Sequence, residues 1–303
     1  MRKPDTLILQ SSLFRGAEKS ALKIGALRTL LVFFVLWGGS LLAGRFLFSP
    51  LLSLMPADTP LLSVLAASAR KILICGVQIA AFFLWVRFVE KRKVHPLGFD
   101  EKKRGRAYFS GAALGIFAVL LIVAVLQFTG SLEVRPAASL SPGTGLLALL
   151  SVAGWAVQSA SEEIAVRGWL IPTLGVRLGP LAAVLLTGGV FGVLHLLNPG
   201  VSVLSFINLC LSGFFFALFA IYSGDLLGVC GLHMGWNFAQ SSLFGLSVSG
   251  EPGSIHSVFS CTQRADSFWT GGAFGPEGSF VTTLFLLTGV LILCACLVKK
   301  ARA

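Results

Sequence analysis

Residues 108–129 read YFSGAALGIFAVLLIVAVLQFT, a run without one charged side chain. At about 1.5 Å of rise per residue, a helix of this length crosses the roughly 30 Å of hydrocarbon in a bilayer. The run predicts a membrane-spanning helix. Working outward, similar apolar runs occupy 27–48 and 66–88 before it, and 143–166, 180–197, 202–222, 226–247 and 280–298 after it. The expected fold is therefore all-α: a polytopic integral membrane protein with about eight transmembrane helices. Composition agrees. The 303 residues are 55% hydrophobic and 12% charged, whereas soluble domains carry about 45–50% apolar and about 25% charged residues. A soluble domain, a disordered chain and a collagen-like chain are all excluded.

The formal net charge of +11 would suggest nucleic acid in a soluble protein, but here the basic residues cluster between apolar runs. No nucleic-acid partner is expected; membrane lipid is. Lys and Arg concentrate in the short cytoplasmic segments of membrane proteins. Basic residues gather up to Arg28, from Arg87 to Arg106, at Arg167 and Arg177, and from Lys299 to Arg302. An even number of spans with both termini cytoplasmic puts all of these on one side. Arg45, Arg135 and Arg264 then fall in outer loops, with Arg70 and Lys71 near the outer end of the second span.

Residues 1–24 are basic without a long apolar run, and read as a cytoplasmic tail or surface helix rather than a cleavable signal. Residues 25–142 hold three spans whose expected job is packing. Residues 143–247 form a helical core, and 248–303 an outer Gly-rich loop with turns, followed by the last span. Close spacing of the spans and the lack of a targeting segment point to a bacterial cytoplasmic (inner) membrane. The six Cys residues form no Cys-x-x-Cys pair, so neither a disulfide framework nor a zinc ribbon is indicated.

Polar groups inside apolar spans are costly and mark sites by default. They concentrate after residue 158. In Glu162-Glu163-Ile-Ala-Val-Arg167, Glu163 and Arg167 share a helix face at i, i+4 and can pair, while Glu162 points about 100° away and is left over. This cluster is expected at the inner end of the fourth span. Phe191-Gly-Val-Leu-His195 follows Gly188 and Gly189, small residues that admit a neighbouring helix. His233-Met-Gly-Trp-Asn237 stacks an imidazole and a carboxamide on one face, beside Gly224, Gly228, Gly231 and Gly235. Alone, the first motif is also explained as a charged helix end at the membrane boundary, and each of the other two as an interhelical polar clasp. Together they bring a carboxylate, two imidazoles and an amide from three spans.

A carboxylate beside a histidine can take a proton from water, and a second histidine with an amide can hold a developing oxyanion. Those parts suit peptide-bond hydrolysis. There is no His-Glu-x-x-His and no Gly-x-Ser-x-Gly. An aspartyl dyad lacks its partner, since Asp225 is the sole Asp in or beside the late spans. No cofactor is required by this chemistry. Glu162, His195 and His233 are also ligand types for a divalent metal such as zinc, so that alternative stays open. Transporter-like matching halves are not found.

The ordered set of motifs resembles the CPBP (CAAX protease and bacteriocin-processing, or Abi) family of intramembrane proteases, whose pattern is Glu-Glu-x-x-x-Arg, then Phe-x-x-x-His, then His-x-x-x-Asn or Asp. The resemblance spans about residues 145–247, and the Gly271–Gly278 segment is similar to one in bacterial members. It implies an endopeptidase related to the type II CAAX prenyl endopeptidases, acting on a peptide or lipidated-peptide substrate. By the same resemblance Glu162 activates water with help from His195, and His233 and Asn237 form the oxyanion site. Glu163 and Arg167 support Glu162, with Phe191 beside His195. The family is often described as metallopeptidases, while the prenyl endopeptidase relatives look like metal-independent glutamate proteases. Other relatives act as non-catalytic scaffolds, bacteriocin-immunity proteins or modulators of membrane sensors, which is the alternative reading.

Overall fold

The computed structural model describes residues 13–14, 17–20, 24–93, 98, 104–138 and 140–302. Nine α-helices of eight residues or more carry the described chain: α1 (Ala26–Ser53), α2 (Pro60–Leu84), α3 (Arg104–Phe128), α4 (Pro142–Glu163), α5 (Ile171–Leu178), α6 (Pro180–Leu194), α7 (Val203–Ser223), α8 (Leu226–Phe238) and α9 (Phe280–Arg302). Local chemistry sets several of their starts. Thr59 accepts from the Leu62 amide ahead of α2, with Pro60 in the first turn. Ser202 and Ser205 form a reciprocal capping box at α7, and Asp225 accepts from the Leu227 amide at α8. Gly224 ends α7 at φ 69°, a conformation that costs glycine little, and so allows the tight reversal into α8.

Six helical segments are long and apolar enough to cross a membrane: Ala26–Ser53, Pro60–Val89, Gly105–Phe128, Gly143–Leu178, Val203–Ser223 and Phe280–Lys300. Only 17% of the most apolar window of the first is buried inside the protein. Phe46, Phe109, Leu185 and Leu291 likewise face outward. Such a surface is compatible with hydrocarbon and not with water. This is an integral membrane protein.

Several expectations change in detail. The runs 180–197 and 226–247 fall on the shorter helices α6 and α8, because the chain turns after Leu194 and again at Phe244–Gly245, where apolar composition continues without helix. The Glu162–Arg167 cluster does not end its helix. The chain continues through a π-helical segment, Ile164–Leu170, directly into α5. Pro172 has no N–H to return to the Gly168 carbonyl, which accounts for the wider turn at that point. The fold is also not wholly α. Leu132–Pro136 (β1) and Phe259–Gln263 (β2) pair antiparallel, Leu132 opposite Gln263, so the Gly-rich loop is stitched to the end of α3. Glu133 and Arg264 bridge the two strands.

Most of the N-terminal stretch 1–24 lies outside the described residues. Within it, Leu13 and Phe14 are fully buried rather than on a surface, and the Phe14 ring occupies the space where a side chain at Gly175 would begin. At the same end of the bundle, Glu90 accepts from Trp85 Nε1 (3.2 Å) and Trp169 Nε1 (2.6 Å) and pairs with Arg92, tying the end of α2 to the π-helical segment.

The core of the bundle is the crossing of α3 with α8. A Cβ at Gly231 would lie 2.0 Å from the Tyr108 carbonyl oxygen, and one at Gly115 2.0 Å from that of Leu232. The two backbones touch through small residues, as membrane helices do in the absence of a hydrophobic driving force between them. Gly231 is two positions from His233. Gly231→Leu is expected to lower thermal stability in detergent by about 3 kcal/mol or more, the upper range for overpacking, and to displace His233. Unchanged melting would show that the crossing adapts. On the other side of the site, Gly188 meets Gly213 and Phe214 of α7, whereas Gly189 has no close neighbour.

Candidate active site

A cavity of about 580 Å³ lies between α1, α2, α4, α6, α7 and α8, and Glu162, His195, His233 and Asn237 all line it. Its size falls within the usual range for a small-molecule or peptide site. The two adjacent glutamates divide as their 100° separation requires. The Glu162 side chain keeps 16% of its exposure and faces the cavity; Glu163 keeps none and lies behind the wall.

Glu163 Oε1 accepts from Arg167 Nη1 at 2.9 Å and from His233 Nδ1 at 2.8 Å. Arg167 is fully buried: Nη2 donates to the Gly213 carbonyl at 3.2 Å, and the guanidinium lies 4.6 Å from the Phe191 ring centre and 5.4 Å from that of Phe216. A carboxylate accepts only, so His233 Nδ1 carries a proton and Nε2 is turned toward the cavity, 4.0 Å from Glu162 Oε2. His195 sits just beyond the last turn of α6. Its Nδ1 is 2.8 Å from the Phe191 carbonyl, which also can only accept, leaving Nε2 with its lone pair free to act as a base. Phe191 packs against both imidazoles, 4.8 Å from His195 and 6.3 Å from His233 between ring centres.

Two residues given no role from the sequence belong to this site. Gln158 Nε2 donates to Glu162 Oε1 at 2.6 Å, while its Oε1 accepts from Asn237 Nδ2 at 2.9 Å, so one amide links the carboxylate to the carboxamide across α4 and α8. Ser159 Oγ is a second, longer partner of Asn237 at 3.4 Å. The i, i+4 spacing of Gln158 and Glu162 was the signal available for the first link. The other residue is Glu277, in the Gly-rich segment. Its carboxylate accepts from Trp236 Nε1 (2.8 Å), Gln240 Nε2 (3.1 Å), Ser249 N (2.5 Å) and Ser249 Oγ (2.7 Å). Asn208 holds the same segment by donating to the Glu277 and Ser279 carbonyls. Removing the carboxylate leaves several buried donors without an acceptor, at about 1–3 kcal/mol each. Glu277→Ala should therefore melt several degrees lower and expose 271–278 to added protease; resistance equal to the parent protein would deny Glu277 this latch role.

α1 and α2 do more than pack: Arg45, Arg70, Lys71 and Gln78 also line the cavity, with Lys71 Nζ 4.4 Å from the Trp155 ring centre. Among the described residues, no three His, Cys, Asp or Glu side chains gather as a metal ion would require. Nδ1 of each histidine is turned to a protein acceptor, which leaves Nε2 as the nitrogen available for chemistry.

Residues 144–239 match the family described as type II CAAX prenyl endopeptidase Rce1-like, which bears out the resemblance read from the motifs. The chain is also 31% identical over 117 residues to the uncharacterized protein YyaK of Bacillus subtilis (strain 168). That alignment covers 37% of this chain and 38% of YyaK, so the match spans well under half of either protein. No solved structure matches.

Proposed function

We propose that the protein is an intramembrane endopeptidase that hydrolyses a peptide bond with a water activated by Glu162. The supporting observation is the placement of Glu162, His195, His233 and Asn237 around one cavity. Glu162 takes the proton of the attacking water, and His195, with Nε2 free, shares in moving that proton to the leaving amine. The carbonyl oxygen that gains charge is met by His233 and Asn237. To donate from Nε2, His233 must carry both ring protons, and the two carboxylates beside it offset that charge. Asn237 donates by turning one N–H from Ser159 or Gln158 to the oxyanion. Glu163 and Arg167 hold His233 and the helix in position. No metal takes part in these steps. The eight helices of the expected spans lie in a bacterial cytoplasmic membrane with both termini on the cytoplasmic side, and the substrate is a peptide or lipidated peptide.

The test is cleavage of a peptide library by the purified protein in liposomes. His195→Ala is expected to abolish cleavage while the variant accumulates in the membrane at the parent level. Activity should also survive exhaustive chelation, and dependence on added zinc would overturn the metal-free chemistry. One observation favours a different reading. The links Asn237–Gln158–Glu162 and His233–Glu163–Arg167 also bind α4 to α8, as a non-catalytic scaffold or immunity protein would use them. A biological effect that persists without any detectable cleavage would favour that role.

A further inference from the structure

The cavity runs from the middle of the bundle, at Gln78, Glu162 and Phe216, toward one end, at Ser49 and Glu251. α1 and α8 reach it through their C-terminal halves, with Arg45 and Asn237, and α2 and α7 through their N-terminal halves, with Arg70 and Leu209. α6 reaches it at its last turn, and the connection between α8 and α9 closes it with Ser249 and Glu277. Each of these helices therefore points its other end away from the cavity. Arg28 and the basic residues within 87–93 lie at those other ends, Arg177 precedes α6, and Lys300 Nζ donates to the Tyr222 carbonyl at the far end of α7, so most of the described basic residues gather there. Among the described residues, five basic side chains lie toward the cavity end: Arg45, Arg70, Lys71, Arg135 and Arg264. Three of them line the cavity, and the other two pair with Glu133 on the small sheet. They are spread over α1, α2 and the small sheet and do not form a competing basic loop.

Basic clusters beside spanning helices stay on the cytoplasmic side. We propose that the cavity opens to the extracytoplasmic face, so that its substrate is a peptide segment already translocated or anchored in the outer leaflet, not the C-terminus of a cytosolic protein. The substrate part rests on the peptidase reading; the orientation rests only on the position of the cavity and the distribution of charge. An entrance on the cytoplasmic side would need the basic ends to be translocated instead.

Ser49 is exposed at the cavity rim and belongs to no part of the catalytic group. In a background with the six native cysteines replaced, Ser49→Cys should react with a membrane-impermeant maleimide in intact cells. Lys299→Cys should react only after permeabilisation. The reverse pattern would overturn the proposal. If the cysteine-free chain does not accumulate, the unaltered protein gives the same answer by proteolysis. Trypsin added to intact spheroplasts should cut at the exposed Arg264; cutting there only in inverted vesicles would refute the orientation. Neither readout needs turnover. A Glu162→Gln chain should label identically, so failure of the orientation and failure of the peptidase reading are told apart.

Discussion

Glu162→Gln is expected to lower peptide hydrolysis by about 10²–10⁴-fold, the usual contribution of a positioned general base, with little change in stability. The two halves of this expectation rest on different atoms. The carboxylate that would accept the water's proton is lost. The side-chain oxygen that accepts from Gln158 Nε2 at 2.6 Å is kept by the amide, so the contact between successive turns of α4 survives. Glu162 is also the partly exposed member of the pair, and no buried charge is left unbalanced when it is neutralised. Single-turnover rates in liposomes, read beside thermal unfolding in detergent, separate the two effects. A variant with parent-level cleavage would remove Glu162 as the base. A variant that fails to accumulate would assign it a structural role that its exposure argues against.

What could be read in advance follows from how local each cause is. The spanning helices were legible because hydrocarbon excludes polar groups over a fixed distance, and residues 108–129 show this within one segment. The lengths of α6 and α8 were not, since apolar residues continue past the turns that end them. The division between Glu162 and Glu163 was legible from helical geometry alone, as was the Glu163–Arg167 pair. Glu277 was not. Trp236 and Ser249, which it holds, lie 41 and 28 residues away in sequence, and a lone carboxylate in a Gly-rich loop carries no sign of such partners. The pairing of Glu133 with Arg264 across 131 residues is hidden for the same reason. Arg70 and Lys71 stood out in sequence only as exceptions to the charge distribution; their place in the cavity wall required the packing of α2 against α4.

The largest expected loss of stability comes from Arg167→Met. The guanidinium is fully buried between Phe191 and Phe216, and with His233 Nδ1 it is one of two donors to Glu163 Oε1. Taking away one partner of a buried pair leaves an uncompensated charge and costs about 3–5 kcal/mol. Glu163→Gln should destabilise by a similar amount from the other side, and should also slow cleavage, because His233 Nδ1 loses its anionic acceptor at 2.8 Å. The double variant Glu163→Gln/Arg167→Met removes both charges together, so it should be more stable than the sum of the single losses predicts, with a coupling of about 1–3 kcal/mol. Its activity should stay low, because nothing in it restores the carboxylate behind His233. Thermal unfolding of the four proteins in one detergent gives the cycle, and turnover of the same samples gives the second readout. Strict additivity in stability would mean that the two side chains do not act as a pair. Recovery of cleavage together with stability would mean that Glu163 acts on the site only through the integrity of the helix, and not through the imidazole it holds.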